Sequence, residues 1–132
     1  KCRTYKCKKM INPFSVTTDI RELLTTDDTI KSFVGEKIFP LVAPDGTDDD
    51  FIVYQRDETK QEISKDGISD IAVIVYITIV SSDYLRSQDI AIAVKKRLEG
   101  NYKGDFRQIL MDDSTEDLLD RKYLQILQFK IK

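Results

Sequence analysis

The side chains in this chain with the numbers and spacing for chemistry are its carboxylates. Its 23 Asp and Glu residues gather most densely at Asp45/Asp48/Asp49/Asp50 and at Asp112/Asp113/Glu116/Asp117/Asp120. Acids this close can hold a hard cation such as Ca²⁺ or Mg²⁺, and two of them facing across a cleft could act as a general acid and base. The first cluster has the density of a calcium loop. Its glycine, Gly46, precedes most of the acids, however, and no glutamate stands at the distal position such a loop requires. The second cluster sits between two apolar segments, where acidic turns are common. Both are therefore read as solvated turns.

The other routes to catalysis are narrow. The sequence has no histidine, which removes the commonest general base and the usual nucleophile triads. Its two cysteines, Cys2 and Cys7, cannot complete a four-ligand zinc site without histidine. The five glycines form neither a dinucleotide fingerprint nor a phosphate-cradling loop. No cofactor and no catalytic residue is assigned.

Charge is unevenly placed. Residues 1–9 carry five cations and no acid, whereas residues 10–132 carry 16 basic and 23 acidic side chains. An acidic body disfavours gripping a phosphate backbone. The longest apolar run, Ile71–Val80, is ten residues, half of what a membrane-spanning helix needs. The chain is expected to lie outside membranes. It divides into a basic extension and lead-in (1–15) and a single domain (16–132), with Met10 opening a natural-looking start.

Elements follow from pattern. Thr17–Leu24 places Ile20, Leu23 and Leu24 on one helical face, and a second short helix runs from a cap at Asp27 or Asp28 to Gly35, adding Ile30 and Phe33 to the core. Lys37–Val42 is extended and ends in the Pro44-Asp45-Gly46 turn. Phe51–Arg56 is a strand. Asp57–Ser64 is polar and reads as a hairpin arm standing partly clear of the body, turned at Lys65-Asp66-Gly67. Ile71–Val80 is apolar on both alternations and needs cover on both faces, with helices on one and a neighbouring subunit on the other. A helix follows from the cap at Ser81–Asp83 to Gly100, with Ser87, Ile90, Ala91, Val94 and Leu98 as its core stripe and Leu85 and Ile92 nearly opposite. Phe106–Met111 and Tyr123–Ile131 are strands joined by an acidic turn, Asp112–Asp120. The fold class is α+β: an antiparallel sheet of four to five strands with two helices packed on one face.

The succession Phe33-Val34-Gly35, Lys37-Ile38-Phe39-Pro40, Ala43-Pro44, Phe51-Ile52-Val53-Tyr54 and the passage from Ile71 to Leu98 resembles the phage tail terminator or tail-completion proteins, also called head–tail joining proteins. The resemblance covers Val16 to Ile131. It implies a non-enzymatic subunit of a ring, usually a hexamer, that caps the tail tube. Its partners would be itself, the tail-tube protein and the head connector, with DNA only passing through the lumen, in a virion assembled in the bacterial cytoplasm. Neighbouring roles, such as a neck ring above or the cap of a contractile injection system, share this pattern. A small carboxylate-dependent hydrolase is the alternative of another class. On this reading Leu85, Ile92 and the arm residues Asp57, Glu58, Thr59, Lys60, Gln61 and Glu62 are candidate interface. Asp45, Asp48, Asp49 and Asp50 form a candidate lumen or ring-contact loop.

Overall fold

The computed structural model describes residues 12–47, 50–102 and 108–132. Three helices lie on one face of a mostly antiparallel sheet: α1 (Val16–Thr25), α2 (Asp28–Val34) and α3 (Tyr84–Leu98). The strands are β1 (Ile38–Pro40), β2 (Phe51–Ser64), β3 (Gly67–Ser81), β4 (Gly100–Asn101), β5 (Gln108–Leu119) and β6 (Lys122–Ile131). Their order across the sheet is β1-β2-β3-β6-β5-β4, and β1 alone pairs in parallel, with β2. The α+β class read from the sequence is the fold observed. The two outermost strands, of three and two residues, carry the count past the four or five expected.

The helices start where side chains replace missing backbone partners. Asp27 accepts from the Ile30 amide at the head of α2, and Asp83 accepts from the Leu85 amide at the head of α3. Ser15, at the head of α1, makes no such bond. Gly35 ends α2 at φ 62°, a backbone conformation in which a Cβ is strained. The helix α3 stops at Leu98, two residues before Gly100, which already pairs in β4.

The core forms because β3 turns Val73, Val75, Ile77 and Ile79 toward the helices, where all four are fully buried. In register, Ile77 stands between Tyr54 of β2 and Leu127 of β6. Ile20 and Leu24 of α1, Ile30 of α2, and Ile90, Val94 and Leu98 of α3 close the cluster from above, with Leu23 and Phe33 packed at its margin. Of the stripe expected on α3, Ser87, Ile90, Val94 and Leu98 are buried and Ala91 is half-buried at its margin.

The second face of β3 is only partly covered. Ala72, Ile74 and Val80 are buried, whereas Tyr76 and Thr78 are half-buried. All the helices lie on the other side, so in-register neighbours and the loop of residues 41–47 do the covering. Ile74 is flanked by Glu58 and Lys130, side chains whose stems can lie along apolar surface.

Asp57–Ser64 is the hairpin arm expected, built as a continuation of β2 paired with β3 and kinked by register shifts between Arg56 and Glu58 and between Glu62 and Ile63. One segment differs from the sequence reading. Asp112–Asp120 is not a turn. Residues 112–119 are the outer part of β5, and the turn itself is only Asp120-Arg121, at φ 52° and 65°. Carboxylates disfavour strands in general, but β5 lies near the sheet margin with solvent on one side, where that preference is weak.

Candidate assembly surfaces

β6 ends opposite Val73, so beyond that pair β2 and β3 have only each other among the described residues. Residues from Lys60 to Ala72 therefore project as a two-stranded arm, turned at Lys65-Asp66. Asp57, Glu58 and Thr59 stand at its base, and Lys60 and Gln61 along its shaft. Lys60 pairs with Glu58 at 3.3 Å in the open, a contact worth little by itself. Near the tip Ile63 is 77% exposed. For Glu62 only the backbone is described, paired opposite Asp70.

A second surface is the outer ridge of α3. Leu85 and Ile92 are 67% and 63% exposed, and the core stripe faces away from them. Ile92 also walls two grooves. One, about 550 Å³, runs toward α2 and includes Phe33, Ala93 and Lys96. The other, about 390 Å³, lies where α3 leaves β5 uncovered, and Met111, Glu116, Gln125 and Leu127 line it.

The floor of that second groove is a polar relay. Gln125, buried under α3, donates to Ser87 Oγ at 3.3 Å and to Glu116 Oε2 at 2.8 Å. The Tyr84 hydroxyl donates to the same carboxylate at 2.9 Å, and its ring packs 5.3 Å from that of Tyr123. Hydrogen bonds from Gln125 and then Tyr84 favour the charged form of Glu116 and hold its pKa below the ordinary value. The bond to Glu116 raises that of Tyr84. Nearby, Lys95 and then the Met111 amide bond to Glu99 and lower its pKa. These carboxylates tie α3 to β5.

The third surface is the loop after β1. Residues 41–47 curl over the helix-free side of the sheet and, with Phe51, Val53 and Tyr76, enclose a groove of about 510 Å³. Asp45 lies on its rim. Leu41 and Val42 stand out from it, Leu41 at φ 66°. Asp48 and Asp49 lie outside the described residues. Asp50 is turned inward: its Oδ2 accepts from Arg86 Nε at 2.7 Å, and the guanidinium sits 5.3 Å from the centre of the Phe33 ring. This bridge joins the start of β2 to α3 and α2.

Of the predicted acids, Asp45 and Asp50 are therefore placed apart in role, one on a groove rim and the other in a bridge to Arg86, and the arm and the α3 ridge are separate features. Among the described residues no three His, Cys, Asp or Glu side chains are placed to share a metal ion, and no helix is long and apolar enough to cross a membrane. Sequence reasoning missed the exposed Ile63, Leu118 and Leu119 at the two hairpin tips. The adjacent pair Leu118-Leu119 carried the signal, because neighbouring strand residues point to opposite faces and both cannot enter one core.

No family model matches the chain, and no curated protein matches it. Among solved structures, a chain in the virion of a native gene transfer agent particle is similar in fold. The TM-score is 0.73 over 85% of this chain and 89% of that one, at 14% sequence identity. At that identity, what the two share is the fold.

Proposed function

We propose that this protein is a structural subunit of a phage or phage-like particle, one that closes into a ring, six copies in the family it resembles, and caps the tail tube below the head connector. The observation that carries the reading is the fold shared, over most of both chains, with a component of a gene transfer agent virion. Its surface suits the role. Apolar side chains are exposed at the arm tip (Ile63) and on the α3 ridge (Leu85, Ile92), two dissimilar places. A head-to-tail interface joins unlike patches and closes into a ring when the rotation allows. In this reading the arm, Asp57 to Glu62, and the ridge meet neighbouring copies, and the loop carrying Asp45, Asp48, Asp49 and Asp50 faces the lumen or an adjoining ring. An acidic lumen lets DNA pass without holding it. The role is structural and needs no cofactor.

Light scattering over a concentration range, with negative-stain images, tests this in the presence and absence of the tail-tube protein. Closed rings that bind tube ends support it. A monomer at every concentration, with tube protein added, refutes it. Rings that bind head connectors and ignore tubes would move the protein to the neck.

A further inference from the structure

The sheet has two margins. β1 covers β2 only as far as Tyr54, and β4 covers β5 only at Gln108 and Ile109. Beyond these pairs, no strand among the described residues pairs with the outer side of either long strand. An unpaired strand side is a template on which a strand of another molecule can add. On β5 three of the outward amides are taken. The Ser114 N–H donates to Asp113 Oδ1 and the Leu118 N–H to Asp117 Oδ1, both at 2.8 Å, and the Met111 N–H donates to Glu99 Oε2 at 2.9 Å. A register shift between Met111 and Asp113 interrupts the run further.

We infer that Asp113 and Asp117 guard the β5 margin, occupying two of the amides, on either side of Glu116, that a strand from a second copy would need. A strand approaching β5 must displace both carboxylates, exchanging two charge-assisted hydrogen bonds for two weaker neutral ones. Copies of this chain can then meet through side chains, without fusing their sheets edge to edge. Ile109, Leu110 and Met111, followed by Leu118 and Leu119, make β5 apolar enough for the closure to matter. The inference is independent of any ring, because it states which contact the molecule refuses.

The test compares three double variants with the parent by sedimentation and by amide hydrogen exchange. Asp113→Ala with Asp117→Ala opens both amides. Asp113→Asn with Asp117→Asn removes the same charge but keeps an acceptor at each position. Asp112→Asn with Asp120→Asn removes equal charge from the same hairpin and leaves those amides occupied. The alanine pair is expected to form concentration-dependent assemblies absent from the parent, with Ser114 and Leu118 protected within them. Both asparagine pairs are expected to sediment like the parent. In the single variants Asp113→Ala and Asp117→Ala, which keep one closed amide each, exchange at the freed amide rises roughly five-fold, the loss of one hydrogen bond. Two results overturn the inference. One is a folded alanine pair that sediments and exchanges like the parent. The other is an Asp113→Asn, Asp117→Asn pair that assembles as readily as the alanine pair, since charge rather than amide capture would then be the barrier.

Discussion

Replacing Arg86 with alanine tests the bridge that holds the three-way junction of α2, α3 and the start of β2. The lost charge-assisted bond to Asp50, 2.7 Å long, is worth about 1.5–3 kcal/mol. The guanidinium over Phe33 adds about 0.5–1 kcal/mol. The contact to the Phe33 carbonyl, at 3.5 Å, is too long to count. Arg86 is 42% exposed, so water screens part of the attraction, and the lower half of the range applies, about 2–3 kcal/mol in total. With an unfolding entropy of about 2.1 cal/mol/K per residue, the 132 residues give about 3.6 °C per kcal/mol, a fall in Tm of about 7–11 °C. The partner makes the reasoning sharper. Asp50 Oδ1 is already buried without a hydrogen bond, and loss of Arg86 leaves the entire carboxylate unpaired. Asp50→Asn keeps a residue that tolerates φ 64° and removes the charge. Introduced into the Arg86→Ala background, it should recover about 1 kcal/mol, measured by urea unfolding of all four members of the cycle. An Arg86→Ala cost under about 0.5 kcal/mol, or an Asp50→Asn change that adds its full penalty in that background, would refute the argument. The same bridge shapes any charge reversal in the acidic loop. Asp45, Asp48 and Asp49 can be reversed to probe the lumen, whereas reversing Asp50 would break the fold's own contact.

Phe129, fully buried in the helix-side core, should cost about 3–5 kcal/mol when cut to alanine, read as a lower urea midpoint with an unchanged slope. Replacing Leu85 and Ile92 together with glutamate should leave stability within about 0.5 kcal/mol, since both are exposed, and should abolish ring closure in scattering and stain images; intact rings would clear the α3 ridge of any part in assembly. Acid should weaken the tie between α3 and β5. Glu99 and Glu116 have folded pKa values below the ordinary 4.5, so their contribution is complete above that pH and disappears as pH falls through the lowered values. Glu99→Gln with Glu116→Gln should flatten the stability profile on the acid side. At the other extreme, Tyr54 and Tyr102, raised above 10.0 by burial, and Tyr84, raised by Glu116, contribute stability that is complete below pH 10.0 and is lost as pH rises through the folded values.

The sequence made legible whatever depends on local periodicity. The α3 stripe, its two outward residues and the doubly apolar β3 all follow from which positions repeat at a helical or strand period, and burial respects those periods. Asp27 and Asp83 were readable as caps because a carboxylate before a helix has few better uses. Asp112–Asp120 was not readable as a strand, because its acids satisfy strand geometry only at a sheet margin, and position in a sheet is not encoded locally. Asp50 looked like one more solvated acid in a run of them. What distinguishes it is Arg86, 36 residues away in sequence.

By itself, then, the order of residues determined the α+β class, the caps at the heads of α2 and α3, the core faces and the absence of histidine chemistry, since each rests on side-chain type and on spacing along one element. The tertiary structure alone decided which acids are solvated and which are bound, which strand sides are open, and where the exposed apolar residues lie relative to one another. Those depend on contacts between segments far apart in sequence. Asp113, Asp117 and Asp50 are chemically identical side chains, and only the backbone or cation that folding brings to each one assigns its task.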